Sequence, residues 1–281
     1  MTEGLTPHLV DLPNGQRLNV YNRTGSGTPV FCVHGLLRVG ADFTGLAQAY
    51  PGPAFYAPDV RGRGNSTHGP EADYRVDVYV QDMLALLDKL GLEKVHWVGT
   101  SMGGMIGMMM AAQHPERVAT LTLNDVGPEV SHRGMQRIAK YVGVYPTFAT
   151  FDEGLAWLRA AYAPFNLTEP ELLALAKPSL KTTDGGYILH HDPAIAIPFM
   201  ALANSPDATV NLWPLFEAIT CPILVIRGQY SDILPAEVMA AMAQRAKTPC
   251  QTFTEPDVGH APMLTKPATV AAIHHFHQTY A

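Results

Sequence analysis

The stretch Val98-Gly99-Thr100-Ser101-Met102-Gly103-Gly104 decides the fold. An apolar run, Val95 to Val98, leads into it. A helical run follows as far as His114, where Pro115 cannot continue the helix. Serine stands at the apex, with small residues two positions away on each side. A side chain at a sharp strand-to-helix turn has strained backbone angles and needs neighbours without bulk; its hydroxyl is then thrust clear of the sheet. The helix N-terminus beneath it favours developing negative charge. A lone G-x-S-x-G is weak, but its place at a strand end before a helix separates it from an ordinary glycine-rich turn.

Outward from this turn the chain alternates. Val30–Val33, Ala54–Ala57, Val95–Val98, Val118–Leu123 and Ile223–Ile226 are short runs that are apolar throughout, as strands buried on both faces of a parallel sheet are. Between them, Val76 to Leu90 repeats apolar residues at three- and four-residue steps and stops at Gly91; Pro235–Ala246 and Ala268–Thr279 read as further helices. Strand and helix in alternation predict a parallel sheet with helices on both faces. Val10 to Tyr21, with Asn14-Gly15 at its centre, reads as a hairpin.

The alternation breaks between Gly127 and Ser205. Met135–Val142, Glu153–Tyr162 and Glu169–Ala176 are helical, a Gly185-Gly186 turn precedes Tyr187–His190, and seven prolines punctuate the segment. We therefore divide the chain into a core (1–126), a mainly helical cap insertion (127–205) and the remainder of the core (206–281).

Composition narrows the function. Of 281 residues, 47% are hydrophobic and 16% charged, which suits a globular core rather than disorder. The net charge of −6 and the lack of basic runs argue against a nucleic-acid partner. No apolar stretch approaches the ~20 residues of a membrane span, and Met1 to Val10 lacks the pattern of a signal peptide. Cys32, Cys221 and Cys250 are too few and too scattered for a disulfide framework, so reduced thiols and a cytoplasmic location are expected. Monomer and homodimer both stay open.

Serine needs a base. Among twelve histidines His260, in Asp257-Val258-Gly259-His260-Ala261-Pro262 after the expected strand Gln251–Thr254, is best placed. His34 reads as a brace for the first glycine turn, and His274, His275 and His277 as a solvated face of the last helix. Adjacent His190 and His191, beside Asp192, would point apart in a strand, so no metal is expected. The acid that orients the imidazole is expected to be Asp232, just past the strand ending at Gly228, with Asp125, one strand earlier, as the alternative. The oxyanion donors should be the backbone N–H groups of Met102 and Leu36. Leu37, Phe148, Trp157, Phe199, Met200, Ile233 and Met263 sit on segments that could line an apolar pocket.

Val33-His34-Gly35, the turn Asp59 to Ser66, Gly99 to Gly104, Gly228 to Asp232 and Gly259-His260 together resemble the α/β-hydrolase fold family, over roughly 200 residues flanking the cap. The resemblance implies an eight-stranded, mostly parallel sheet and an acyl-enzyme mechanism without cofactor. Asp59–Ser66 reads as a structural turn in which Arg61 or Arg63 could touch substrate. Serine at 101 sets the chain apart from branches with an aspartate nucleophile, the haloalkane dehalogenases and epoxide hydrolases. It is similar to the esterase, lactonase, perhydrolase and carbon–carbon hydrolase branches. The expected activity is hydrolysis of an ester or lactone of a small to medium, mostly apolar acyl compound. The alternatives are carbon–carbon hydrolysis, perhydrolysis, or a ligand receptor that keeps the triad without turnover.

Overall fold

A computed structural model describes residues 4–130, 132–205 and 211–280. The first part of the core holds β1 (Thr6–Asp11), β2 (Arg17–Arg23), β3 (Val30–Val33), α1 (Thr44–Ala49), β4 (Phe55–Pro58), α2 (Val76–Lys89), β5 (Val95–Thr100), α3 (Met102–Gln113) and β6 (Val118–Asn124). The cap segment carries α4 (His132–Val142), β7 (Thr147–Phe148), α5 (Phe151–Ala161), α6 (Glu169–Ser179), β8 (Leu180–Thr183), β9 (Gly186–Leu189) and α7 (Ala196–Ala203). The core resumes with α8 (Trp213–Ala218), β10 (Ile223–Gly228), α9 (Ala236–Arg245), β11 (Cys250–Glu255) and α10 (Pro267–Thr279). The expected restart of the core at 206 lies outside the described residues.

Eight strands form one sheet in the order β1-β2-β4-β3-β5-β6-β10-β11. The hairpin β1–β2 and the β2–β4 pair are antiparallel, and the remaining pairs are parallel. Each central strand is apolar throughout because helices cover both faces. On one side lie α2, α3 and α8, with Trp97, Ile106, Leu121 and Phe216 fully buried. On the other lie α1 and α10, with Phe55, Ile226, Ile273 and Phe276. The α3 helix is apolar on all its faces and correspondingly packs against β5, β6, α2 and α8.

The segment read as a mainly helical cap keeps its helices but is not helical throughout. Besides its helices it contains a three-stranded antiparallel sheet, β7-β9-β8, with its own apolar cluster around Phe148, Leu158, Phe165 and Leu175. The β8–β9 turn uses Gly186 at φ +124°, a conformation that disfavours any residue with a Cβ. Two threonines precede the turn and Tyr-Ile-Leu follows it, residues that suit strands. Helix α7 escapes the periodicity argument because Pro193 and Pro198 flank and interrupt its first turn; both sit where a missing N–H is tolerated.

Candidate active site

The turn at residue 101 has the geometry its sequence requires. Ser101 lies at φ +51°, a region costly for a residue with a side chain and occupied here because neighbours on every side fix it. A Cβ at Gly103 would overlap the Val33 carbonyl, and one at Gly99 would overlap the Gly103 backbone. The turn is braced from beneath by Trp97, whose indole N–H donates to the Gly103 carbonyl (3.0 Å). Asn124 ties three loops together: its side-chain amide N–H groups donate to Thr100 Oγ1 (3.0 Å) and to the Pro262 carbonyl (2.9 Å), and its backbone carbonyl accepts the Ser101 N–H (2.9 Å).

His260 lies buried on the loop after β11 with its Nε2 at 3.0 Å from Ser101 Oγ. Its Nδ1 is 2.7 Å from Oδ2 of Asp125. An ionised carboxylate only accepts, so Nδ1 carries the proton and Nε2 is left free to accept the serine hydroxyl. The edge of Phe165, from the cap, rests against the imidazole with ring centres 5.9 Å apart.

The carboxylate on His260 is therefore Asp125, and the expectation for Asp232 is corrected. Asp125 is fully buried at φ +59°; its N–H donates to the Ile226 carbonyl (2.7 Å), and its Oδ1 accepts the Gly228 N–H (2.9 Å). These bonds aim Oδ2 across the end of β10 at the imidazole. Asp232 instead faces the cap, where Nε and Nη2 of Arg137 on α4 donate to it at 2.6 and 2.9 Å. Burial pushes the Asp232 carboxyl up, but the Arg137 hydrogen bonds and charge, with a contribution from nearby His260, hold it below the usual range. It is a neutralised carboxylate beside the imidazole, committed elsewhere.

The loop after β3 approaches the serine from the other side. His34 braces it: Nδ1 donates to the Gly35 carbonyl (2.7 Å), and Nε2 accepts the Val60 N–H (2.9 Å). Burial lowers the His34 pKa to about 3, so the ring is neutral. Arg63, read from sequence as a possible substrate contact, is fully buried and holds this loop. Its Nε donates to the Leu36 carbonyl (2.9 Å), its Nη1 donates to the Arg61 carbonyl and the Tyr79 hydroxyl, and its Nη2 reaches the Met102 sulfur (3.5 Å). One guanidinium thus touches both residues expected to supply oxyanion donors. Arg61 pairs with buried Asp82 and with Asp73 and is equally occupied. The family-like turn advertised these arginines, but not which way they face.

Two cavities meet at Ser101. The larger, about 270 Å³, is bounded by Leu36, Met102, Met105, Met135, Ile138, Phe199 and Ile233, with Tyr74 and Tyr79 also in its wall. The smaller, about 50 Å³, is bounded by His260, Leu37, Tyr141, Val142, Tyr162 and Phe165. Of the pocket residues read from sequence, Phe199, Ile233 and Leu37 therefore face the serine. Phe148 and Trp157 pack together in the cap's own core (ring centres 6.2 Å apart), because the cap has a small hydrophobic centre to fill. Met200 lies against Gly143, and Met263 borders a separate void behind Arg38.

Among the described residues no group of three or more His, Cys, Asp or Glu is placed to hold a metal ion. His190 and His191 diverge, the first against the Pro178 carbonyl and the second edge-on to Tyr145. No helix among the described residues is long and apolar enough to cross a membrane.

An α/β hydrolase fold family model matches residues 28–267. The 3-hydroxybutyrate-oligomer hydrolase of Cupriavidus necator is 43% identical over 252 residues, covering 85% of each chain. The 2-hydroxymuconate semialdehyde hydrolase of a Pseudomonas species is 28% identical over 82% of this chain and 79% of that protein. Among solved structures, an α/β hydrolase from Novosphingobium aromaticivorans superposes with a TM-score of 0.88 at 36% identity, covering 99% of both chains. A buried strand thrusting a serine into the mouth of a capped, mostly parallel sheet, together with these matches, establishes that the chain is a hydrolase belonging to the α/β-hydrolase fold family.

Proposed function

We propose that the protein is a serine hydrolase that cleaves a carboxylic ester or lactone of a small to medium, mostly apolar acyl compound, through an acyl-enzyme. The observation that carries this reading is the hydrogen-bonded series Ser101 Oγ, His260 Nε2, His260 Nδ1, Asp125 Oδ2, opening beside an apolar cavity. Ser101 Oγ attacks the carbonyl carbon as its proton passes to His260 Nε2. The N–H groups of Met102 and Leu36 receive the oxyanion, a contribution of about 10²–10³ in rate for each such donor. The imidazolium then hands its proton to the departing alkoxide, and the C–O bond breaks. Water, deprotonated by the same nitrogen, then attacks the acyl carbon; its bond to Ser101 Oγ breaks, the imidazolium returns the proton to Oγ, and the acid is freed. Asp125 holds the ring and its charge, and no step needs a cofactor.

Similarity to the C. necator 3-hydroxybutyrate-oligomer hydrolase supports including 3-hydroxybutyrate oligomers among the substrates to be tried. The second reading, carbon–carbon hydrolysis, draws on the Pseudomonas relative and uses the same serine and histidine. The three cysteines, none in a disulfide and each with its thiol pushed up by burial, suit the cytoplasm.

Purified protein should hydrolyse short alkyl esters in a pH-stat and should be labelled at Ser101 by a fluorophosphonate. Ser101→Ala should lose both while keeping the parent circular dichroism spectrum. Parent-like turnover by the alanine variant would refute the reading. A vinylogous diketone cleaved far faster than any ester would favour the second.

A further inference from the structure

We propose that the two cavities sort the two arms of an ester by size, the acyl arm entering the large one and the leaving alcohol the small one. The inference rests on the serine-hydrolase reading and adds which arm of the substrate is long.

The argument is one of direction. The leaving oxygen must receive its proton from His260 Nε2, so it departs on the imidazole's side of Ser101, where His260 itself forms a wall of the small cavity. The oxyanion turns toward Leu36 and Met102. The remaining substituent of the tetrahedral carbon, the acyl chain, is left with the large cavity, which Ser101 borders and His260 does not.

Volume then sets the lengths. The cavity on the acyl side has more than five times the volume of the one on the leaving side, about 270 against about 50 Å³, so the longer arm has more room on the acyl side. The wall of the large cavity is mostly aliphatic and methionine, which suits a flexible hydrocarbon chain. A further void of about 50 Å³, around Phe43, Leu175 and Met263, lies behind the small cavity without touching Ser101, and the two joined remain far smaller than the acyl side. A lengthening leaving arm crowds Val142 and Tyr162 of the cap, both buried.

Ethyl hexanoate and hexyl acetate test this directly, because they are isomers of near-equal polarity that differ in which arm is long. Acid release in a pH-stat should give kcat/KM at least about tenfold higher for ethyl hexanoate, the ratio that 1.4 kcal/mol of differential transition-state binding produces. Phe199→Trp, which fills the large cavity, should lower the rate on ethyl hexanoate more than on ethyl acetate. Val142→Ala, which widens the small one, should raise hexyl acetate relative to ethyl hexanoate. Hexyl acetate cleaved as fast as its isomer would overturn the sorting and leave the hydrolase reading intact. Equal effects of Phe199→Trp on the hexanoate and the acetate would do the same. Failure to cleave either isomer, with Ser101 unlabelled by a fluorophosphonate, would overturn both.

Discussion

Replacing each of two aspartates by asparagine separates their roles. Asp125→Asn keeps the size of the side chain but offers an amide to His260 Nδ1 at 2.7 Å and to the Gly228 N–H at 2.9 Å. If the amide oxygen stays on Gly228, its NH₂ faces the imidazole, Nδ1 must become the acceptor, and the proton moves to Nε2. That nitrogen then presents a hydrogen to Ser101 Oγ and no longer accepts one. Such a tautomer reversal costs about 10⁴ in kcat in serine hydrolases, or roughly 5 kcal/mol of transition-state stabilisation. Asp232→Asn removes the partner of Arg137 and a charge near His260, but no hydrogen bond to the imidazole. That pair is partly solvated, so it is worth about 1 kcal/mol, and its loss falls on cap closure as a rise in KM of about fivefold or less. Steady-state kinetics on ethyl butyrate, with near-ultraviolet circular dichroism to verify the fold, distinguishes the two. A fall of a thousandfold or more in kcat for Asp232→Asn, with Asp125→Asn within tenfold of the parent, would refute the assignment of the acid.

Three other outcomes follow from the same geometry. Gly103→Ala places a methyl group into the Val33 carbonyl at the centre of the sheet and should cost about 3 kcal/mol or more in urea unfolding; a loss below 1 kcal/mol would mean the turn can relax. Arg137→Ala and Asp232→Asn should each raise KM with little change in kcat and be non-additive when combined, as a single catch between α4 and the β10 loop requires; additive effects would dissolve the catch. Stability should fall as pH drops from about 6.5 toward 4. Burial depresses His34 and His191 to about 3 and His96 to about 4, and it lowers His277, so the unfolded chain binds protons that the native one refuses. Each such group contributes up to about 1.4 kcal/mol per pH unit in that window and nothing above it; Asp59, raised to about 6 by burial, opposes them. His277→Phe keeps the ring that stacks on His96 at 4.2 Å but not the titration, and should flatten the fall in Tm; an unchanged slope would exclude His277 as a contributor.

What was legible in the sequence was what neighbouring residues dictate. The nucleophile turn is written in the glycines at 99 and 103, because the backbone approaches there admit no side chain, and the parallel strands in runs without alternation. His260 was legible because one histidine alone follows the last strand at a glycine turn. The acid was not. Asp125 and Asp232 both follow parallel strands that adjoin in the sheet, and local sequence leaves both within range of the same imidazole. What separates them lies elsewhere in the chain: the Gly228 N–H that captures Oδ1 of Asp125, and an arginine 95 residues before Asp232 that claims its carboxylate. Arg137 sits on a cap helix whose sequence reads as an amphipathic segment and nothing more.

The same distinction explains the pocket. Phe199 and Ile233 face the serine, whereas Phe148 and Trp157 fill the cap's interior, although all four are large apolar residues on suitable segments. Hydrophobicity specifies that a side chain will be covered, not by what. A cap of about eighty residues with its own three-stranded sheet must bury some of its aromatics internally to hold together. Among the described residues it reaches the two cavities through Val130, α4, the segment around Tyr162 and Phe165, and the stretch from Ile195 into α7. Because α4 borders both cavities, we infer that specificity depends on how this helix is seated. Gly134 lets that helix approach the Asp232 carbonyl and the Ile233 side chain closely, and Arg137 fastens it one turn later. A Cβ at Gly134 would collide with both. Cap position, and with it the division of space around Ser101, is thus set from the loop after β10, a few residues away from the strand end that supplies the Gly228 contact to the catalytic acid proposed here.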